Sequence, residues 1–208
     1  MGIVAVGQAV PRHEDPILLK GKGRYTGDVV LPNQAFGHIL RSPYAHAKIS
    51  GINTDTAKGA PGVLAVYTGA DCRADGIGKL PTVQMPAPNF DFDTHVRPDR
   101  FALAGDKVHF VGEEVAFVVA ETLTQARDAA ELIEVDYVVL PSVVDAVEAK
   151  KDGAPQIWPD IPGNVCFEKE LGDKEATDAA FAAAAHVVKQ SMVVNRSSAN
   201  SMEPRGTN

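Results

Sequence analysis

Two adjacent glutamates, Glu113 and Glu114, are the side chains best placed for acid–base chemistry, because they directly precede the apolar run Val115–Ala120. A pair of carboxylates at a strand end can exchange protons with a bound molecule. A solvated strand end carries the same residue types, and we favour that simpler interpretation. The sequence contains no Gly-x-Ser-x-Gly motif and no cysteine with a credible histidine partner, so nothing in it indicates nucleophilic catalysis.

The histidines and cysteines do not form a recognisable metal motif. No two of the six histidines are four residues apart, as a zinc-binding helix requires. The adjacent trio His13–Asp15 would point its side chains in opposite directions along an extended chain. Cys72 and Cys166 are two thiols, whereas an iron–sulfur cluster takes about four. We therefore predict no catalytic, cofactor-binding or metal-binding residue in this chain, and two free thiols rather than one long-range disulfide.

Net charge and hydropathy indicate which classes of partner are excluded and in which compartment the protein is expected. Lys and Arg number 20 against 27 Asp and Glu, a net charge of −7, which argues against nucleic-acid binding. The basic segment Gly21–Gly27 lacks the glycine spacing, the preceding strand and the following helix of a dinucleotide loop, so we interpret it as a turn-rich surface. The longest apolar run, Val115–Ala120, is far shorter than the roughly 18 residues of a membrane helix. Because the start also lacks the basic region of a signal peptide, we expect a cytoplasmic protein without a membrane partner.

Hydrophobic periodicity predicts a mixture of strands and short helices. The predicted strands cover residues 36–41, 45–52, 62–68, 115–120 and 135–139. In the second of these, Ala45, Ala47 and Ile49 would face the core, and His46, Lys48 and Ser50 the solvent. Residues 55–58 form a predicted helix, and a capping pattern from Thr122 to Gln125 begins a longer one. Its inward face would carry Leu123, Ala126, Ala130 and Ile133. A strand, a helix and a strand within about 27 residues suggest a right-handed crossover between parallel strands.

Two further segments stand apart from this pattern. Residues 69–101 are rich in proline and glycine and are predicted to form a long loop. Loops of this length in a compact domain are usually functional or disordered, and exposed Phe90 and Phe92 would need a covering partner. After a polar stretch, residues 173–185 are predicted to be helical and residues 186–195 to form a strand. We place a domain boundary near residue 147, which leaves residues 148–208 as a linker and the start of a second domain.

Ten segments, taken together, resemble one known family. They are Arg12–Asp15 with Leu18–Leu19; Gly21–Asp28; Arg41–Ala47; Ala60–Val66 with Thr68–Asp71; Val111–Glu121; Ala126–Ala130; Val135–Tyr137 with Leu140–Pro141; Pro162–Asn164; Gly172–Asp173; and Met202–Gly206. In this order they resemble the N-terminal part of the molybdopterin-binding large subunit of the xanthine dehydrogenase, aldehyde oxidase and carbon-monoxide dehydrogenase family. The resemblance implies an α+β fold: residues 1–147 would be an N-terminal arm and an α/β-hammerhead domain with a mixed sheet and crossover helices. Residues 148–208 would contain the opening strand and helix of the molybdopterin-binding domain.

The same resemblance implies a function. The family hydroxylates aldehydes or N-heterocycles, or oxidises CO, with water as the oxygen source. Electrons pass from a molybdenum–molybdopterin centre through two [2Fe–2S] clusters to FAD, which typically lie on a small and a medium subunit. The pterin-binding loops and the catalytic glutamate of the family lie beyond the position equivalent to Asn208. We therefore expect a split subunit or a truncated piece that is inactive without the remaining molybdopterin-binding portion.

Four residues are candidates for roles within such an assembly. Phe90 and Phe92 match a region that approaches the substrate funnel in relatives, and Glu203 and Arg205 belong to a Met-Glu-Pro-Arg-Gly motif that we assign to an interface. The alternative from another functional class is a stand-alone hammerhead module that acts as a scaffold or binding protein. Residues 186–194 argue against it, because an apolar strand there would end without neighbours.

Overall fold

The computed structural model describes residues 7, 9–81, 96–168, 170–194, 197 and 201. These residues divide into a unit spanning Ala35–Thr177 and a second unit made of Met1–Gln34 and Asp178–Asn208. The four predicted site residues, Phe90, Phe92, Glu203 and Arg205, lie outside the described residues, so their assignments stay predictions.

Two antiparallel sheets of three strands each build the larger unit within the described residues. The strands are β1 (Phe36–Arg41), β2 (Ala47–Asn53), β3 (Val63–Thr68), β4 (Lys107–Val108), β5 (Glu114–Ala120) and β6 (Glu134–Val139). One sheet has the order β1-β5-β3 and the other β4-β2-β6. The helices are α1 (Asp15–Leu18), α2 (Asp55–Lys58), α3 (Gly69–Ala74), α4 (Leu123–Glu131), α5 (Ala146–Ala149) and α6 (Lys174–Ala183). The class is therefore α+β, as the sequence predicts.

The prediction of a right-handed crossover between parallel strands is wrong. The prediction of a mixed sheet is wrong for the same reason. The two strands flanking α4 belong to different sheets, because β5 pairs with β1 and β3 whereas β6 pairs with β2. Every strand pairing among the described residues is antiparallel. Both edges of β5 are already occupied, so the chain leaving α4 finds no free edge there and joins the second sheet instead.

Helix α4 covers one face of the first sheet. The hydroxyl oxygen of Thr122 accepts a hydrogen bond from the backbone N–H of Gln125 at 3.2 Å, which confirms the predicted cap. Ala126, Ala129 and Ala130 are buried against β1 and β5, whereas Leu123, predicted on the inward face, is exposed in the first turn. Small alanines at these positions let the helix lie close to the sheet.

Strand β5 is shared by the two hydrophobic clusters of the larger unit. Ala116, Val118 and Ala120 belong to the cluster beneath α2 and α4, and Val115 belongs to the cluster beside β2 and β4. The strand is thus apolar on both faces, as predicted. The prediction that β3 is buried is wrong for most of its length: Leu64 is exposed, because β3 lies at the edge of its sheet.

The smaller unit contains local turns and an unpaired apolar segment. The backbone N–H of Lys22 donates to the carbonyl of Ile17 at 3.0 Å, and a 3₁₀ turn follows at Thr26–Asp28. The basic segment is therefore a turn-rich surface. Residues 186–194 form no strand, contrary to the prediction, because a strand needs a hydrogen-bonded neighbour and none pairs with it among the described residues. No helix in the described part of the chain is long and apolar enough to span a membrane.

Candidate functional site

The segment Arg41–His46 joins the two sheets of the larger unit. The backbone N–H of Ser42 donates to the carbonyl of Glu113 at 2.9 Å, and the N–H of Gly112 donates to the carbonyl of Ser42 at 2.8 Å. The hydroxyl of Ser42 also accepts from the N–H of Tyr44 at 3.0 Å. These bonds hold the chain where β1 ends and β2 has not yet begun.

The two glutamates singled out from the sequence bind different groups at this junction. Glu114 pairs with the guanidinium of Arg41 at 2.7 Å, and the same guanidinium donates to the carbonyl of Gly112. The carboxylate of Glu113 accepts from the backbone N–H of His109 and lies 3.4 Å from its ring nitrogen Nδ1. The side chain of Glu113 is 14 % exposed. The expected solvated strand end is therefore wrong for Glu113, whereas Glu114 lies in an exposed ion pair with Arg41. Both carboxylates stabilise the 109–114 turn.

Three aromatic rings form a column behind this turn. The ring of His109 lies parallel to Trp158 with 4.9 Å between centroids, and 6.1 Å from the ring of His46. His46 donates from Nδ1 to the carbonyl of Pro141 at 2.7 Å, which ties the start of β2 to the end of β6. His46 is buried rather than on the predicted solvent face, because the regular alternation of β2 begins only at Ala47. His46 Nε2 and Trp158 Nε1 are buried without a hydrogen-bond partner among the described residues.

Tyr137 of β6 packs beside this junction. Its ring centroid lies 5.0 Å from that of Tyr44. Burial raises the pKa of the Tyr137 hydroxyl above its ordinary value, with a smaller contribution from Tyr44, while Ser42 acts in the opposite direction. Tyr137 thus contacts the junction through its ring against Tyr44 and through its hydroxyl at Ser42.

A cleft of about 330 Å³ opens beside the aromatic column. Its lining residues are Arg73, Asp99, Phe101, Ala104, Gly105, Asp106, Lys107, His109, Glu113 and Trp158. Asp99 forms an ion pair with Lys79 at 2.6 Å. The cleft thus combines aromatic walls with charged groups of both signs.

Helix α3 brings Arg73 to this cleft, where the sequence predicted only loop. A Cβ atom at Gly69 would overlap the carbonyl oxygen of Ala104, so only glycine lets the helix start this close to the 103–105 segment. A Cβ atom at Gly105 would lie 2.6 Å from Nη1 of Arg73. The two glycines therefore create the space in which the guanidinium lies against the backbone of the cleft.

Asp71 fixes the start of α3. Its carboxylate accepts from the hydroxyl and from the backbone N–H of Thr68, each at 2.7 Å. These hydrogen bonds, with Lys58 nearby, hold the pKa of Asp71 below its ordinary value and outweigh the opposing effect of burial. The helix start is therefore stabilised as long as Asp71 carries its charge.

A second cleft, of about 420 Å³, lies on the face of the first sheet away from α4. Most of its lining is apolar: Ile39, Tyr67, Cys72, Asp75, Ile77, Ala102, Leu103 and Phe117. Cys72 and Cys166 are both unpaired and half-buried. No group of three or more His, Cys, Asp or Glu side chains is arranged to hold a metal ion in the described ranges.

Sequence reasoning missed the residues of the first cleft. Arg73, Lys107 and Trp158 lie on three separated segments, and no spacing along the chain connects them. The one available signal is that Trp158 is the single tryptophan of the sequence. Large aromatic residues often line ligand sites, but a lone one does not identify a partner.

Comparison with known proteins decides the family. Residues 20–141 match the family described as aldehyde oxidase and xanthine dehydrogenase, a/b hammerhead domain. The chain belongs to this family. The α/β-hammerhead predicted from the resemblance is thereby confirmed for the matched residues, with two antiparallel sheets in place of the mixed one.

Relatives of this hammerhead chain include large subunits of several oxidoreductases. It is 40 % identical over 197 residues to the carbon monoxide dehydrogenase large chain of Afipia carboxidovorans, covering 89 % of this chain and 23 % of that protein. It is 36 % identical over 203 residues to the nicotine 6-hydroxylase large subunit of Paenarthrobacter nicotinovorans, covering 97 % and 24 %. The chain therefore spans about a quarter of the length of these relatives.

Solved structures give the same result. The crystal structure of a Cu,Mo-CO dehydrogenase in its carbon monoxide reduced state superimposes with a TM-score of 0.71 at 40 % identity, over 86 % of this chain and 23 % of that one. The aldehyde oxidoreductase from Desulfovibrio gigas superimposes with a TM-score of 0.65 at 29 % identity, over 85 % and 19 %. Both structures thus share the fold of this chain over most of its length.

Proposed function

We propose that this chain is part of the large subunit of a molybdenum hydroxylase. The observation that carries the proposal is the continuous similarity to large subunits of such enzymes, which covers 89 % of the chain in one relative and 97 % in another. The reaction class is oxidation of an aldehyde, an N-heterocycle or CO, with water as the oxygen source. The relatives named above act on different compounds, so the proposal stays at the level of the reaction class.

The cysteine thiols of this chain are too few to bind the iron–sulfur clusters of such an enzyme. Cys72 and Cys166 are two separate thiols, and a [2Fe–2S] cluster takes about four. We therefore assign the iron–sulfur clusters to a small partner subunit and FAD to a medium one. The molybdenum–pterin group supplies the oxidation chemistry when bound, and we assign its binding to the remaining portion of the large subunit.

The hammerhead portion would then act as a rigid support for the rest of the large subunit. Its paired glutamates and its His46 hold the junction between the two sheets, so they organise the scaffold and not a reaction. Two unpaired thiols also fit a reducing compartment, and we propose the cytoplasm. Cell fractionation with an antibody against this chain checks the location.

Metal and pterin content test the proposal. The 208-residue chain is purified alone and after co-expression with the C-terminal portion of the Afipia carboxidovorans large chain, and both samples are assayed for molybdenum and for pterin. We expect neither in the chain alone, and both in a complex that retains the chain. Near-stoichiometric molybdenum in the chain alone would overturn the assignment of the cofactor to the remaining portion. A monodisperse, cooperatively unfolding monomer that never joins the complex would favour the stand-alone scaffold.

A further inference from the structure

The second cleft, on the face of the first sheet away from α4, is an apolar site that the proposed molybdenum chemistry does not use. We propose that this cleft binds a small hydrophobic cation, namely a single ring with a short arm that ends in a protonated amine beside Asp75. The inference rests on the cleft alone and does not depend on the proposed function.

One row of three side chains across the first sheet forms the floor of the cleft. Phe117 of β5 stands directly opposite Ile39 of β1 and directly opposite Tyr67 of β3. Residues directly opposite each other project from the same face of a sheet, and all three line the cleft. A Cβ atom at Gly37 would lie 2.5 Å from the ring of Phe117, so a glycine here lets the ring lie across β1.

Backbone hydrogen bonds fix the walls of the cleft. The N–H of Ile77 donates to the carbonyl of Cys72 at 2.9 Å, which turns the chain back at the end of α3 and leaves both residues on the lining. On the other wall, the buried Leu103 precedes Ala104, whose N–H donates to the carbonyl of Glu114 at 2.6 Å. Because the fold holds these walls, a ligand does not have to order them, and this favours binding.

The cleft leaves apolar area uncovered. Tyr67 is 42 % exposed and Ile77 is 48 % exposed. The volume of about 420 Å³ is enough for a single ring with a short arm. A ring bound there would remove apolar surface of the ligand and of both side chains from water, which favours a ligand with a hydrophobic body.

The charge of the lining decides the sign of the ligand. Asp75, three residues after Cys72 at the end of α3, is the one charged residue among the described residues that line the cleft. Its carboxylate has no ion-pair partner within the described part of the chain. The carboxylate would attract an ammonium group, and the aromatic faces of Tyr67 and Phe117 also attract cations. An anion would meet a like charge without a compensating cation, so the lining favours an amine.

The thiol of Cys72 serves as the reporter in the first test. Phenethylamine is titrated into the 208-residue chain at neutral pH, and alkylation of each cysteine by iodoacetamide is followed by peptide mass spectrometry. We expect saturable protection of Cys72 and no protection of Cys166, which does not line the cleft. Absence of saturable protection, or equal protection of both thiols, would overturn the proposal.

Two matched compounds separate the charge from the ring. Phenethyl alcohol keeps the ring and lacks the charge, and we expect it to bind about threefold more weakly, as for an exposed ion pair. Ethylamine keeps the charge and lacks the ring, and it should bind at least about tenfold more weakly because it buries little apolar area. Raising the ionic strength should weaken binding of phenethylamine and not of the alcohol. Equal binding of the amine and the alcohol would overturn the proposal.

A second measurement does not involve a cysteine. Nuclear magnetic resonance of the isoleucine methyl groups should show shifts at Ile39 and Ile77 when phenethylamine is added, since both line the cleft. Ile133, which is buried in the cluster beneath α4 on the other face of the sheet, should not shift. Shifts that leave out both Ile39 and Ile77 would place the amine elsewhere and overturn the proposal.

One substitution and one matched control complete the test. Asp75→Asn should weaken binding of phenethylamine about threefold and leave phenethyl alcohol unchanged, because the amide keeps the shape of the side chain and loses its charge. Asp128→Asn removes an exposed carboxylate from α4, on the opposite face of the same sheet, and should leave the binding of both compounds unchanged. Full binding of the amine by the Asp75→Asn variant would overturn the proposal.

Discussion

Asp71 accepts two hydrogen bonds from Thr68, and both are strongest when its carboxylate is charged. Its pKa is therefore lower in the folded chain than in the unfolded one. A group of this kind stabilises the fold above its unfolded pKa. That stability is lost as the pH falls through the folded pKa. The stability of the first turn of α3 therefore depends on pH.

Asp71→Ala is expected to lower the free energy of unfolding by about 1 kcal/mol at neutral pH. The backbone N–H and the hydroxyl of Thr68 both lose their acceptor in this variant. The difference from the unaltered chain should shrink below the ordinary carboxyl pKa of about 3.9. Urea denaturation at neutral and acidic pH measures it. Asp75→Ala, which removes an exposed carboxylate at the other end of α3, is the control. A difference that stays constant with pH would contradict this account.

Single residues also show where sequence reasoning stops. The cap at Thr122 could be predicted because it depends on neighbours three residues away. The burial of His46 could not, because its partner, the carbonyl of Pro141, lies on a distant segment. The stacking of His109 on Trp158 has the same cause. Hydrogen bonds between residues a few positions apart can be predicted from residue types and spacing in the sequence. Contacts between distant segments cannot.

At the scale of elements, α3 and the 103–105 segment approach each other through Gly69. Gly69→Ala is expected to lower the free energy of unfolding by about 1–3 kcal/mol, because the new methyl group overlaps the carbonyl of Ala104. Gly78→Ala, at an open position, is the matched control and should have little effect. Chemical denaturation of both variants measures the effect, and equal stability of the two would disprove the close approach.

Strand β5 is the element on which both hydrophobic clusters depend. Val118→Ala is expected to lower the free energy of unfolding by about 1–3 kcal/mol, because Val118 is fully buried and the substitution leaves a cavity. The same change at Val138, which is exposed on β6, should cost less than about 0.5 kcal/mol. Urea denaturation of the two variants gives the comparison. A similar cost at both positions would show that β5 is not the packed centre of the unit.

Helices and strands were predictable where their formation depends on residues that are close in the sequence. Alternation placed most strands within one or two residues of their observed bounds, and the apolar character of β5 indicated burial on both faces. Pairing was not predictable in the same way. The order β1-β5-β3 depends on which edges are already occupied, and this is a property of the assembled sheet. That is why the parallel crossover through α4 was wrong.

At the scale of the whole molecule, an apolar segment remains uncovered. Val188 and Val193 are 92 % and 93 % exposed, and Val187, Met192 and Val194 are exposed beside them. Two exposed apolar groups, residues 187–188 and 192–194, are thus separated by only three polar residues. Exposed apolar groups this close together mark an interaction surface or an aggregation-prone segment. The exposed area of this segment is therefore expected to drive self-association of the isolated chain.

Replacing Val188 and Val193 together by Ser is expected to lower both self-association and hydrophobic dye binding of the isolated chain, because apolar area drives both. Sedimentation velocity and dye fluorescence measure the change. The same replacement at Val144 and Val147, exposed valines that directly precede the acidic residues Asp145 and Glu148, should have a smaller effect. A chain that is monomeric and binds no dye before any substitution would contradict the uncovered surface.

The sequence by itself determined the family, the α+β class, the helix cap at Thr122 and the buried character of β5. The family follows from ten short motifs that occur in the family's order. The cap and the strand follow from hydrogen bonds and hydrophobic periodicity within a few residues of each other. Only the tertiary structure decided the antiparallel order of the sheets, the burial of His46 and the cleft between Arg73, Lys107 and Trp158. These depend on which strand edges are occupied and on contacts between distant segments, and neither property is encoded in local spacing.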